Sequence, residues 1–175
     1  MSKPIFLIGP SGVGKTTLGL LACQPLVSEP VFLDLDKLVE TYSEESAGTL
    51  LPRVGADSFL CCCRAALQDE LRNYPDRQLI VAVGAGCLDS KRAASWLGQE
   101  TRIAITADQD DAYERIISVR NDSRSREEYK REEFSTGRQA LYEAANKTVN
   151  TTGQTKEQSA ALLGACLCEL LGVPS

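Results

Sequence analysis

The length and charge of the chain limit the classes of protein to which it can belong. Its 175 residues are enough for one domain with a sizeable core, and we expect a single domain over residues 1–175. The formal net charge of −5 argues against a nucleic-acid partner, because phosphate backbones are bound by clustered lysines and arginines. The substrate is therefore expected to be a small molecule.

The composition also bears on the compartment. The chain has seven cysteines, no apolar run that approaches the length of a membrane span, and no basic leader with a cleavage site. These features predict a cytoplasmic protein that does not associate with a membrane. We expect it to be a monomer.

In chain order, apolar runs alternate with longer amphipathic segments, which is typical of α/β proteins. Strands are predicted at residues 4–8, 31–35, 78–83 and 101–106. Helices are predicted at residues 15–24, 36–42, 57–73, 90–97, 109–119, 127–146 and 155–171. Because the strands are apolar throughout, we expect a parallel sheet covered by helices on both faces. The predicted fold is a three-layer α/β/α sandwich with a mainly parallel central sheet.

The first predicted strand runs into GPSGVGKT, residues 9–16, which matches G-x-x-x-x-G-K-[ST] in full and precedes a predicted helix. In this context backbone N–H groups bind phosphate, Lys15 bridges the β- and γ-phosphates, and the Thr16 hydroxyl binds Mg²⁺. The motif predicts a P-loop fold that uses ATP and Mg²⁺, and the segment that follows the second strand favours the kinase type over a motor or a switch. The candidate nucleotide-binding residues are Gly9, Ser11, Gly12, Val13, Gly14, Lys15, Thr16 and Thr17.

Two aspartates follow the second predicted strand, in VFLDLDKLVE. The carboxyl end of a strand is where an open α/β sheet binds its ligands. Residues two apart in an extended stretch point the same way, so Asp34 and Asp36 are expected to face one crevice. Asp34 is the candidate metal ligand beside Thr16, and Asp36 is the candidate base for an acceptor hydroxyl. The alternative is that Asp36 only caps a helix that begins at Lys37.

A later segment, RNDSRSREEYKREE at residues 120–133, is almost entirely charged or polar. It is predicted to contribute no buried face, and to be exposed and at least partly mobile. The run Cys61-Cys62-Cys63 is not expected to bind a metal ion, because successive helical residues point about 100° apart. The chain also has no histidine to complete such a site. The predicted buried stripe of this helix is Phe59, Cys63, Ala66, Leu67 and Leu71.

These motifs, in order and over nearly the whole chain, resemble those of the shikimate kinase family, small members of the nucleoside monophosphate kinase-like group. The segments that carry the resemblance are IFLIGPSGVGKTTLG, FLDLDKLVE, Gly55 with Phe59, VAVGAG at 81–86, and GRQALYEAANKTVNT at 137–151. The resemblance implies phosphoryl transfer from ATP to the hydroxyl of a small acceptor, which is the 3-OH of shikimate in that family.

The resemblance also implies roles for individual residues. It places Asp36 at the acceptor hydroxyl and Arg115 on the adenine side of the nucleotide. Residues 36–73 correspond to the acceptor-binding helices and residues 120–133 to a lid. The implied acceptor-side residues are Gly84, Ala85, Gly86 and, for the acceptor's carboxylate, Arg138. The lid's catalytic arginine has two candidates, Arg124 first and Arg126 second.

The chain departs from the family's pattern on the acceptor side. Leu60 stands where the family has an arginine that shares the acceptor's carboxylate, and Cys63 stands where it has a glutamate. Ala85 replaces the middle glycine of a triple. Arg64, one helical turn after Leu60, is the candidate to replace the missing arginine. Two alternatives stay open: a kinase for another small hydroxylated acceptor, and a non-catalytic protein that binds a nucleotide or a protein partner.

Overall fold

The central sheet has five parallel strands. In the computed structural model, which describes residues 3–120 and 122–173, the strands lie in the order β2-β3-β1-β4-β5. They are β1 (Ile5–Ile8), β2 (Val31–Asp34), β3 (Leu79–Ala82), β4 (Thr101–Thr106) and β5 (Lys147–Asn150). Because β3 lies between β1 and β2 and all run the same way, the segments that follow these three strands meet at one edge of the sheet.

Helices cover the sheet. They are α1 (Lys15–Cys23), α2 (Leu35–Ser43), α3 (Ala47–Val54), α4 (Ala56–Asn73), α5 (Ala93–Leu97), α6 (Gln109–Arg120), α7 (Arg126–Glu133), α8 (Thr136–Glu143) and α9 (Lys156–Leu171), with a 3-10 helix at Ala85–Asp89. Within the described part of the chain, no helix combines the length and apolar character needed to cross a bilayer.

Side chains of the strands alternate between two apolar clusters. Ile5 and Leu7 of β1 pack in a cluster with residues of α1 and α9, whereas Phe6 and Ile8 pack in a cluster with residues of α2 and α4. The two faces of one strand are therefore both buried, as expected when helices cover both faces of a parallel sheet. The predicted three-layer α/β/α sandwich is confirmed.

Apart from shifts of one to three residues at element ends, the structure differs from the prediction in four elements. The strand β5, the helix α3 and the 3-10 helix at Ala85–Asp89 were not predicted. The segment predicted as one helix at 127–146 forms two, α7 and α8, which are separated at Phe134 and Ser135. In one continuous helix, side chains five residues apart do not face each other. The break allows Glu133 and Arg138 to form an ion pair at 2.8 Å.

The expectation that residues 120–133 contribute no buried face is wrong. Residue 121 lies outside the described residues, but α7 buries both Tyr129 and Glu133. The Tyr129 ring packs against the rings of Tyr113, at 5.5 Å between centroids, and Phe134, at 6.1 Å. The single aromatic residue of a polar run thus supplies the apolar contact that docks the helix.

The cysteines of α4 divide between core and surface. Cys63 is buried with its Sγ 3.2 Å from that of Cys87, whereas Cys61 and Cys62 are exposed. The predicted stripe holds, with Leu71 only partly buried. Leu60 is 1% exposed and belongs to the same apolar cluster, so its side chain contributes to the core of the protein.

Candidate active site

A cavity of about 160 Å³ opens where β1, β2 and β3 end. Its walls are formed by Ser11, Gly12, Gly14, Lys15, Thr16, Thr17, Asp34, Asp36, Ala82, Val83, Gly84, Ala85, Arg115, Ile116 and Val119. The structure therefore brings the phosphate loop, both aspartates and two of the predicted acceptor-side residues into one site. These two residues, Gly84 and Ala85, are called the acceptor wall below. The predicted site residues outside this lining are Gly9, Val13, Arg64, Gly86, Arg124 and Arg138.

The phosphate loop lies between β1 and α1. Gly14 precedes α1 with a φ of 93°, in the left-handed region that glycine adopts without strain. This geometry aims the first N–H groups of α1 into the cavity, where an anion would meet the positive end of the helix dipole. The Lys15 ammonium donates to the carbonyl oxygens of Gly9, at 2.7 Å, and Pro10, at 2.9 Å, and so lies against the loop.

Asp34 links the phosphate loop to α2. Its Oδ2 accepts a hydrogen bond from Thr16 Oγ1 at 2.5 Å, and its Oδ1 accepts from the backbone N–H groups of Asp36 and Lys37. Asp34 is thus the N-cap of α2, a role that sequence reasoning had offered as the alternative for Asp36. The expectation that both aspartates lie in one extended stretch is also wrong, because Asp36 lies in the first turn of α2.

Asp36 nevertheless faces the acceptor wall. Its carboxylate lies so close to Gly84 that a Cβ on that glycine would come within 2.1 Å of Asp36 Oδ1. Any side chain at position 84 would clash with this carboxylate, so only glycine fits there. Ala85 lines the same wall, whereas Gly86 packs against Leu51 of α3.

Arg115 borders the cavity at the end near β5. Its Nη1 donates to Thr151 Oγ1 at 2.8 Å and its Nη2 to the Thr151 carbonyl oxygen at 2.9 Å. These bonds hold the guanidinium plane in a fixed position. A planar cation held in this way suits stacking on a flat aromatic group such as a nucleotide base.

The two lid arginines both lie among acidic residues. Arg124 contacts Asp122, Glu132 and Glu133, and the hydrogen bonds to Asp122 raise its pKa. Arg126 pairs instead with Asp110, at 2.5 Å, and Glu114, and its guanidinium lies over the Tyr113 ring. Only Arg124 shares a partner with the phosphate loop.

That shared partner is Glu133. It is 2% exposed, and its Oε2 accepts from the Ser11 backbone N–H at 3.0 Å and from Arg138 Nη1 at 2.8 Å. Burial raises the pKa of Glu133, but the charge of Arg138 and the Ser11 bond outweigh it, so its pKa is lowered. Tyr129 of the same helix donates its hydroxyl to the Ser11 carbonyl oxygen at 2.5 Å. The helix α7 is therefore bonded to both backbone polar groups of Ser11 in the phosphate loop.

Arg138 is buried between two carboxylates. Its Nε and Nη2 donate to Asp89 Oδ1 and Oδ2 at 2.8 and 2.7 Å, and its Nη1 donates to Glu133. Burial lowers the pKa of Arg138, but the bonds to Asp89 and the charge of Glu133 reverse that effect and raise it. Asp89 ends the 3-10 helix that follows Gly84.

Arg64 does not reach the cavity. Its side chain is exposed, and its guanidinium lies 5.9 Å from the centre of the Trp96 ring. The helix α4 directs this residue to the outer surface. Its placement therefore does not support the idea that it replaces the arginine missing at Leu60.

Sequence reasoning missed several residues around the cavity. Glu133 and Tyr129 were hidden in a charged segment, although their spacing of four residues marks one face of a helix. Asp89 follows VAVGAG by three residues and carried no motif of its own. Nothing local in the sequence pointed to Thr151, which reaches Arg115 only through the pairing of β4 and β5.

The fold and the site together define a class of protein. A complete phosphate loop after β1, a helix that begins at its lysine, and an aspartate after β2 that bonds its threonine are the parts of a P-loop kinase. The model of the shikimate kinase family matches residues 11–167, which is most of the chain. The chain therefore belongs to the shikimate kinase family, a family of small-molecule kinases, and the resemblance is confirmed.

Individual relatives agree with the family model. The shikimate kinase of Chlorobium chlorochromatii (strain CaD3) is 29% identical over 159 residues, which cover 84% of this chain and 81% of that protein. Shikimate kinase 2 of Enterobacter sp. (strain 638) is 31% identical over 88 residues, or 50% of this chain and 47% of that protein. The chain thus spans about half the length of the Enterobacter relative.

A solved structure supports the fold. The shikimate kinase of Acinetobacter baumannii in complex with shikimate matches with a TM-score of 0.73 at 23% identity, covering 97% of this chain and 93% of that one. At this identity, the likeness shows the fold.

Proposed function

We propose that this protein transfers the γ-phosphoryl group of ATP to a hydroxyl group of a small metabolite, with the 3-OH of shikimate as the acceptor. The observation that carries the proposal is the single cavity shared by Lys15, Thr16, Asp34 and Asp36. Phosphate, metal and acceptor groups would then meet in one site, which is what phosphoryl transfer requires. Membership of the family, and the shikimate bound to the related Acinetobacter baumannii protein, support this acceptor.

On the nucleotide side, the N–H groups of the loop and of α1 bind the phosphates, and Lys15 exchanges its loop carbonyls for phosphate oxygens. Arg115 lies against the base. Thr16 and Asp34 would hold Mg²⁺, because their oxygens lie 2.5 Å apart at the cavity wall and Mg²⁺ takes oxygen ligands. The ion, when bound, neutralises charge on the phosphates.

On the acceptor side, Asp36 receives the proton of the attacking hydroxyl and orients that oxygen in line with the phosphoryl group. Gly84 and Ala85 form the wall against which the acceptor lies, and Arg138 binds its carboxylate. Arg124 first leaves its acidic partners and then neutralises charge on the phosphoryl group. We leave Arg64 out of the site because its guanidinium lies over Trp96.

We also propose that the protein works as a cytoplasmic monomer that binds neither nucleic acid nor membranes. All seven cysteines are free thiols, which supports a compartment that keeps thiols reduced. The acidic net charge of −5 supports a small-molecule substrate over a polyanion.

The proposal is tested by ADP release from Mg²⁺-ATP with and without shikimate. We expect release that depends on shikimate, and Lys15→Ala should remove most of it because a charge that follows the migrating phosphoryl group is lost. The matched control is Lys156→Ala, at an exposed position on α9, which should keep normal turnover. Release only with another hydroxylated acceptor would indicate the alternative kinase. ATP binding without any release would indicate a non-catalytic protein.

A further inference from the structure

The guanidinium of Arg138 is already occupied by carboxylates of its own chain. Asp89 takes Nε and Nη2 in a bidentate pair, which is the arrangement that an acceptor's carboxylate would adopt. Glu133 takes Nη1, and Arg138 is only 6% exposed. An acidic acceptor can therefore form a bidentate pair with the Nε and Nη2 edge of this guanidinium only by displacing Asp89.

The two carboxylates are held with different strength. The Glu133 side chain is 3% exposed and also bonds Ser11 and Arg124, so its removal would leave a buried network unsatisfied. The Asp89 side chain is 47% exposed. It borders an open depression of about 340 Å³ that is also lined by Lys91. Asp89 is exposed enough to exchange Arg138 for water, so of the two carboxylates it is the one that can give way.

The position of Asp89 connects it to the acceptor wall. The 3-10 helix that ends at Asp89 begins at Ala85, directly after Gly84, and both of these residues line the cavity. The Asp89–Arg138 pair is thus connected to the acceptor wall by this one 3-10 helix. The two positions considered for a second arginine supply no alternative, because Leu60 lies in the core and Arg64 lies over Trp96.

We propose that Asp89 is a specificity-determining residue that competes with the carboxylate of the acceptor for Arg138. The proposal rests on the proposed function, in which Arg138 binds that carboxylate. While Asp89 is paired, the protein is not competent to bind an acid, so the apparent dissociation constant equals the intrinsic constant divided by the fraction of molecules in which Asp89 is unpaired. A neutral acceptor with the same hydroxyl groups does not pay this penalty. Asp89 thus reduces the ratio between the affinity for an acidic acceptor and the affinity for its neutral analogue.

The test is calorimetric titration of the full chain with shikimate and with its methyl ester, which keeps the ring hydroxyls and lacks the charge. Asp89→Ala should bind shikimate about tenfold more tightly than the natural protein, because Arg138 is then open to the ligand. Asp89→Asn should give a smaller gain, since its amide oxygen still accepts from Arg138. Binding of the methyl ester should not change.

The matched control is Asp69→Ala, which removes the same charge from an aspartate of similar exposure, 45%, that pairs with Arg72. It should leave both affinities unchanged. Equal or weaker shikimate binding by Asp89→Ala, or no measurable binding, would overturn the proposal. A gain seen equally with the methyl ester would overturn it too. Tighter shikimate binding without ADP release in any variant would support the role of Asp89 and refute the proposed activity.

Discussion

Two aspartates that are two residues apart in the sequence have separate surroundings in the site. Asp34 is committed on both oxygens, one to Thr16 and the other to the N-terminus of α2. Asp36 lies one step into the helix and packs its carboxylate on Gly84, at the acceptor wall. The helix start that Asp34 caps directs Asp36 toward Gly84, and it is Asp36 to which the proposed function assigns proton transfer.

This division predicts the result of changing Asp36 to asparagine. The amide cannot take the acceptor's proton, so kcat should fall by about a hundredfold while the KM for ATP stays close to normal. Because Asp34 provides the cap, the thermal midpoint should change little. Steady-state kinetics and a melting curve measure both. Asp69→Asn is the control, and near-normal kcat in Asp36→Asn would show that Asp36 is not the base.

At the scale of elements, the central finding is that α7 is docked on the phosphate loop. Its sequence, REEYKREE, has almost no apolar residues, and a capping box at Ser125 and Glu128 stabilises its start. Docking depends on Tyr129, which is 0% exposed and bonds the Ser11 carbonyl oxygen. Tyr129 and Glu133, the two buried residues of α7, together hold the helix in one orientation on the phosphate loop.

The docking predicts two different effects at Tyr129. Tyr129→Ala should lower the free energy of unfolding by about 3–5 kcal/mol, because a fully buried ring is lost. Tyr129→Phe should cost only about 1 kcal/mol, but it should raise the KM for ATP because the Ser11 carbonyl loses its partner. Urea unfolding and steady-state kinetics separate the two. Tyr74→Phe, at a residue that is 37% exposed, is the control. A Tyr129→Ala variant as stable as the natural protein would contradict the docking.

At the scale of the whole molecule, the network of Glu133 joins parts of the protein that belong to different apolar clusters. Tyr129 of α7 packs in the cluster that contains α1 and α9, whereas Leu141 of α8 packs in the other cluster. The ion pair between Glu133 and Arg138 crosses from one to the other. A buried charged network of this kind makes stability depend on pH.

The direction of that dependence follows from the pKa of Glu133, which lies below its ordinary value of 4.5 in the folded protein. Unfolding then takes up a proton below about pH 5, so the stabilisation is present at neutral pH and is lost as the pH falls through the folded pKa. Glu133→Gln should be less stable than the natural protein by up to about 3 kcal/mol at pH 7. The difference should shrink steadily below about pH 4.5.

Urea unfolding of the natural protein and of Glu133→Gln at a series of pH values measures this difference. The control is Glu127→Gln, at an exposed position on the same helix, for which little change is expected at any pH. A difference for Glu133→Gln that stays constant down to acid pH would show that its charge does not stabilise the fold.

The sequence by itself determined the α/β/α layers, four of the five strands and the phosphate loop. The phosphate loop is continuous in the chain, so the placement of its glycines, Lys15 and Thr16 follows from local geometry. Only the tertiary structure decided the surroundings of Glu133 and Arg138. Ser11, Asp89, Glu133 and Arg138 come from four segments, and their contacts depend on the break between α7 and α8. The environment of a charged side chain is set by the elements that pack around it, and a local sequence pattern does not contain that information.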